Sequence, residues 1–324
     1  MTKTALVILF QIICTAGFSE NPRWKEFGTP IPAHANLDVR WETSDKFVGS
    51  NVPTNEWPSK MWIYHLTPRT FSPKVISNLM TLCSFTEKNR VRHGPDGVTF
   101  KSPDGLRTLS ISFSSGSINY DAPEPGYVLK PNVFVGVPKT EEMPKLTKNF
   151  LKLIGVKLSE IQKNTNGAPY FYFSSRGYEY FSNHTLTTNT WARAVVFRRS
   201  VNGAEVIGNA GYCELQFGEQ GKILKIDFSW PTLKRYKSSP TLTPQTVLQL
   251  LQHGKAHQGL VPMGFGDIDW QTVKNVTIKQ AWPCYFAGNS DLLYPFLDLW
   301  TTVEASQGNV DIEIDCPIID ETEP

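Results

Sequence analysis

An α+β fold, with antiparallel β-meanders each packed against helices, is what this sequence predicts. Three observations carry the prediction. There are 23 Gly, 23 Pro, 9 Trp, 11 Tyr and 19 Phe, a composition of strands and turns rather than of a helical bundle. Short runs alternate apolar and polar residues between strong turn signals. Helical spacing is confined to a few short stretches, each opened by a capping or acidic residue.

The 324 residues predict roughly two domains, at about 100–200 residues each. With 40% hydrophobic and 19% charged residues the chain can bury a core. A net charge of +2 gives no basis for nucleic-acid or anionic-membrane binding. No apolar stretch reaches about 18 residues, which excludes a multi-pass helical membrane protein.

Residues 1–19 read as a signal peptide: Lys3, an apolar run over 5–14, then Thr15, Ala16 and Gly17. The chain is therefore expected outside the cytoplasm, secreted or extracytoplasmic. Retention of this segment would make it membrane-anchored instead; Gln11 and the short run favour cleavage. Residues 20–58 hold prolines 22, 30, 32, 53 and 58 with Trp24, Trp41 and Trp57, and read as an extended arm laid on a folded body.

A first helix-plus-meander unit spans 59–125. A strand over 61–66 leads to a helix with Ser72 as N-cap and Pro73 at its first position. Val75, Ile76, Leu79, Met80 and Cys83 form its buried face. Turns at Pro95-Asp-Gly97 and Pro103-Asp-Gly105 separate strands over 98–101 and 106–113, and 117–120 returns. Residues 121–139 are a proline-rich connection.

The second unit spans 140–239. Its helix opens at Thr140, buries Met143, Leu146, Phe150, Leu153 and Ile154, and ends at Gly155. Segments 170–173 and 178–181 read as a hairpin around Arg176-Gly177. Strands over 192–201, 206–217 and 223–230 continue the meander through a tight turn at Asn202-Gly203. A third unit, 240–318, holds a helix from Thr243-Pro244 to Gly254 and strands over 272–286, 293–304 and 308–316. Asp311, Glu313 and Asp315 alternate with isoleucines and are expected to face outward. The tail 319–324 is polar. The shared starts Thr70-Phe-Ser-Pro73 and Thr241-Leu-Thr-Pro244 fit either a duplication or independent use of a good helix start.

The stretch Ala194-Val-Val-Phe-Arg-Arg-Ser-Val-Asn-Gly-Ala-Glu-Val-Ile-Gly208, continued by Gly221-Lys-Ile-Leu-Lys-Ile226, resembles the thermolysin/fungalysin propeptide (FTP) domain. It is similar, more widely, to PepSY-like domains and to YycI/YycH-type extracytoplasmic proteins. The Thr243-Pro244 helix and Pro283-Cys-Tyr-Phe286 fit a second unit of the same kind, so the resemblance covers roughly 140–316. It implies tandem PepSY-like (cystatin-like) units, 140–239 and 240–318. It also implies an exported, non-catalytic binding module that modulates a peptidase or sensor in trans. The chain carries no His-Glu-x-x-His, so no zinc protease follows the propeptide-like unit.

Candidate sites are few. Tyr170, Tyr172, Tyr178 and Tyr180 form an aromatic cluster suited to an extracytoplasmic protein or peptide, or else to two-sided burial beneath the arm. Beyond the signal segment lie Cys83, Cys213, Cys284 and Cys316, each on an apolar face. A Cys284–Cys316 bridge is the favoured pairing, against buried free thiols. Asn183 and Asn275 open glycosylation sequons. His253 and His257 have metal-ligand spacing, but Gly254 breaks the helix between them, and no metal or cofactor is expected. Ser114 to Ser117 reads as a turn rather than a nucleophile. Asp267 and Asp269 beside Trp270, with Asp311, Glu313 and Asp315, keep a glycan-acting hydrolase open as a minor alternative.

Overall fold

The computed structural model describes residues 31–33, 37–42, 58–124, 134–182, 185–258, 268–288, 291–306 and 308–319, with backbone alone at 180–182 and 185–187. The signal segment, Asn183, Asp267 and residues 320–324 lie outside the described residues. In chain order the elements are β1 (Asp38–Trp41), β2 (Lys60–Thr67), α1 (Pro73–Leu82), β3 (Arg90–Gly94), β4 (Gly97–Lys101), β5 (Thr108–Ser112) and β6 (Ser117–Asp121). There follow α2 (Met143–Ile154), β7 (Tyr172–Ser182), β8 (Thr185–Arg198), β9 (Ser200–Val201), β10 (Ala204–Gly208), β11 (Tyr212–Phe217) and β12 (Ile223–Ser229). The chain ends with β13 (Thr232–Pro240), α3 (Pro244–Gln252), β14 (His257–Gln258), β15 (Asn275–Ala287), β16 (Leu292–Ala305) and β17 (Gly308–Pro317). The fold is α+β, dominated by strands.

Two compact units form. The first holds Thr67–Arg199 and Gly211–Thr232; the second holds Asn21–Leu66, Ser200–Ala210 and Leu233–Pro324.

The first unit is one 8-stranded sheet in the order β3-β4-β5-β6-β12-β11-β8-β7. It is two helix-plus-four-strand halves: α1 followed by β3 to β6, and α2 followed by β7, β8, β11 and β12. Their last strands pair antiparallel, with Asp227 opposite Asn119. This pairing merges segments that the sequence separates at 125 and 140. The helix starts behave as their residues dictate. Ser72 accepts from the Val75 amide and Pro73 opens α1. Gly155, at φ 73°, closes α2 in a left-handed cap. The helices cover one face, where Leu79, Phe150 and Ile154 pack with Phe100, Leu109, Val195, Leu215 and Phe228.

Two expectations about this sheet are corrected. The chain does not reverse at Arg176-Gly177. That dipeptide sits inside β7 at a register shift against β8. A Cβ on Gly177 would lie 3.0 Å from Thr188 Cγ2 and 3.1 Å from the Asn189 carbonyl, so glycine permits the bulge without turning the strand. Nor is the Asn202-Gly203 turn part of this meander. Asn202 and Gly203 do make a tight hairpin, with φ of 53° and 87°. Its strands β9 and β10 belong to the second unit, where β10 runs parallel to β15. Gly208, at φ 84°, ends β10 where a Cβ would lie 2.3 Å from the Ala287 carbonyl oxygen.

The second unit's sheet runs β13-β2-β16-β15-β10-β9, with β17 on β16, β14 on β17 and β1 parallel on β15. Its core joins Ile63, Val206, Val247, Leu251, Val276, Leu297, Leu299, Ile312 and Ile314. In the described part of the arm, Ile31, Leu37 and Val39 are buried in this core. Among the described residues no helix is long and apolar enough to cross a membrane.

Candidate functional site

Side chains alternate along a strand, and that rule resolves the aromatic cluster. Phe171 and Phe173 pack against the helix-covered core of the first unit. Tyr170 and Tyr172 point the other way and are 46% and 48% exposed. The sheet's second face starts with Tyr172, Ser174 and Arg176 on β7, which is an edge strand. Next come Ala194 and Val196 on β8, Tyr212, Glu214 and Gln216 on β11, then Lys225 and Asp227 on β12. Tyr178 lies beyond the bulge, half-buried, its ring 6.5 Å from that of Trp191. Burial, with Glu124 nearby, raises its hydroxyl pKa. The Tyr180 backbone continues β7; its side chain lies outside the described residues.

Glu214 is the centre of this face. Its carboxylate accepts from Lys225 Nζ at 2.9 Å, Gln216 Nε2 at 2.8 Å, Arg176 Nη2 at 3.3 Å and the Tyr212 hydroxyl at 3.3 Å. Burial alone would raise its pKa, but the bonds and charges of Lys225, Gln216 and Arg176 outweigh it and hold the group below the ordinary glutamate value. Asp227, beside it in register, is raised by burial and by Glu214, against the pull of Lys225. A carboxylate so held is a fixed anionic post. It orients Arg176 and Lys225 and is a poor proton donor. The sequence did not single out Glu214 and offered Arg176 only as a turn residue; the signal was present in Cys213-Glu-Leu-Gln-Phe217, where acid and amide occupy the polar half of a strand.

The edges of the sheet differ. β3 presents Arg90, Val91, Arg92 and His93, all exposed, and such charges deter strand addition. β7 presents Tyr172, Ser174 and Ser175 before the bulge, with Arg176 bonded to Glu214 and Glu179 further along, and among the described residues no strand pairs with its outer side.

The other candidates separate. Cys284 and Cys316 are free and buried, as are Cys83 and Cys213. Cys284 lies opposite Phe296 and Cys316 opposite Leu297. Successive residues of β16 face opposite sides of the sheet, so the two thiols do as well, and the expected bridge does not form. Burial pushes the Cys83 thiol up to about 12, the reverse of a nucleophile's shift. His253 ends α3 with Nδ1 2.6 Å from the Gln249 carbonyl, while His257 sits on β14 opposite Asp315. Asp269 accepts from the Gln271 amide at 3.1 Å, a capping role. Asp311 is engaged by Lys279 and Thr302. Asp315 is not outward but buried. Asn275 opens β15, its side-chain amide bonded to Glu304. No group of three or more metal-ligating side chains lies among the described residues.

Neither a family model nor a curated protein matches this sequence. Among solved structures it is similar to an uncharacterized protein from Eubacterium rectale, at 8% identity and a TM-score of 0.45, over 86% of this chain and 87% of that one.

Proposed function

We propose that this chain is an exported, non-catalytic binding module that engages an extended segment of another extracytoplasmic protein along β7, with Tyr170 and Tyr172 as anchors. One observation carries the reading: Tyr172 on edge strand β7 and Tyr170 just before it stand about half exposed, and residues 171–175 around them carry no charge, whereas the opposite edge carries Arg90, Arg92 and His93. Tyrosine suits such a role because it offers large contact area at low entropy cost. An edge strand supplies main-chain donors and acceptors for strand addition. The PepSY-like resemblance of residues 140–316 supports the reading, and we extend to this chain that group's action in trans on a peptidase or sensor.

The test is selection of peptides from a random displayed library on the purified chain, followed by titration. Tyr170→Ala with Tyr172→Ala should weaken the selected peptides about 30-fold, the loss of a hot spot of roughly 2 kcal/mol. Melting should be unchanged, and bound peptide should protect β7 amides from hydrogen exchange. Equal binding by the double variant, or protection elsewhere than β7, refutes the assignment.

A further inference from the structure

In the second unit four side chains stand in register on one face across four strands: Trp282 on β15, Asp298 on β16, Asp315 on β17 and His257 on β14. Asp298 is 8% exposed and Asp315 6%. Directly opposed residues of an antiparallel pair hold their Cβ atoms about 4.5–5.5 Å apart. Among the described residues no cation reaches either carboxyl within ion-pair distance. Asp298 Oδ1 is buried with no hydrogen-bond partner.

We propose that Asp298 and Asp315 form a proton-binding pair that clamps β17 to β16 while a proton is held and loosens that edge when the last proton leaves. Two buried carboxylates this close cannot both ionise cheaply. A proton turns one member into a donor and gives the orphaned oxygen a use. The surroundings reinforce this. Glu313 on β17 and Glu205 on β10 add negative field, against which the Trp282 side chain donates a hydrogen bond to Asp298. Burial lowers the His257 pKa and so disfavours a compensating charge there. Burial first, then Glu313, pushes the Asp298 carboxyl up to about 7; burial and Asp298 raise Asp315 well above the ordinary aspartate value. The folded unit therefore holds protons that the unfolded chain releases. The clamp is at full strength below the ordinary value of 3.8 and weakens as pH rises through about 7. The inference does not rest on the proposed binding at β7.

The experiment uses the full chain. Carbonyl NMR of the chain labelled in its aspartate carboxyls should show two resonances that titrate above pH 5. Hydrogen exchange of β17 amides, corrected for intrinsic rate, should rise by up to about tenfold per pH unit between 5 and 7. Asp298→Asn should remove one titration and flatten that rise. If every aspartate carboxyl of the native chain titrates below pH 5, the proposal is overturned, whether or not the variant folds. It is also overturned if the folded variant and the parent open in parallel across the pH range.

Discussion

Replacing Glu214 by alanine tests whether the polar face of the first unit is built or merely coated. The side chain is 7% exposed, and its two cations, Arg176 and Lys225, are each 33% exposed. Removing one partner of a fully buried ion pair costs about 3–5 kcal/mol. Exposed pairs are worth about 0–1 kcal/mol. With cations two-thirds buried the ionic loss falls between, near 2 kcal/mol. The stranded amide of Gln216 adds about 1 kcal/mol. A total of about 3 kcal/mol displaces the urea midpoint of this unit downward by roughly 1.5 M, taking a slope of about 2 kcal/mol per M. Glu214→Gln keeps the volume and one acceptor for Gln216, so it should spare the roughly 1 kcal/mol of the stranded amide and lose about 2 kcal/mol. The unit is followed by hydrogen exchange of β11 and β12 amides against urea, which reports it separately from the second sheet. Because the native carboxyl is held below its ordinary value of 4.5, its contribution is complete above that pH and disappears as acid titrates the native group. The gap between parent and alanine variant should therefore close on acidification. A loss under about 1 kcal/mol at pH 7, or a gap indifferent to pH, refutes the buried-post reading.

Two further predictions follow from the backbone and the thiols. Cys83, Cys213, Cys284 and Cys316 should resist a thiol reagent in the native chain and all react in denaturant without reductant; a peptide linking 284 to 316 in a non-reduced digest refutes this. Gly208→Ala places a Cβ 2.3 Å from the Ala287 carbonyl at φ 84° and should cost more than about 2 kcal/mol, read as lost exchange protection along β10. Unchanged protection there would show that the parallel β10–β15 contact yields without cost.

Local chemistry made most of the elements legible. Ser72-Pro73, Thr243-Pro244, Gly155 and Asn202-Gly203 each act in the structure through the capping or turn geometry that their residues specify. Alternation placed Leu109, Ile111, Ile226 and Phe228 in the core. Pairing over long range was not legible, because a strand's own sequence does not name its neighbour. Thus the antiparallel hairpin at 202–203 was visible but its docking in parallel on β15 was not. The sheet shared by two helix-plus-strand halves was likewise hidden, since β6 and β12 are separated by more than a hundred residues. The site divided along the same line. Exposed tyrosines could be picked from composition, but Glu214 and Asp298 gain their character only from what lies opposite them.

Those two carboxyl sites are built on one scaffold principle with opposite outcomes. Each puts an acid at a cross-strand position of an antiparallel sheet and buries it. Around Glu214 the neighbouring positions hold Lys225 and Arg176, so the charged form wins. Around Asp298 they hold Asp315 and Glu313, and burial, reinforced by Glu313, raises its pKa to about 7. The linkage signs then differ. The first unit gains from Glu214 as pH rises from acid towards neutrality, whereas the second loses from its aspartate pair as pH rises through about 7. Exchange protection followed unit by unit should therefore run in opposite directions. The crossing disappears in Glu214→Ala through the first unit alone and in Asp298→Asn through the second alone, which makes each variant the control for the other.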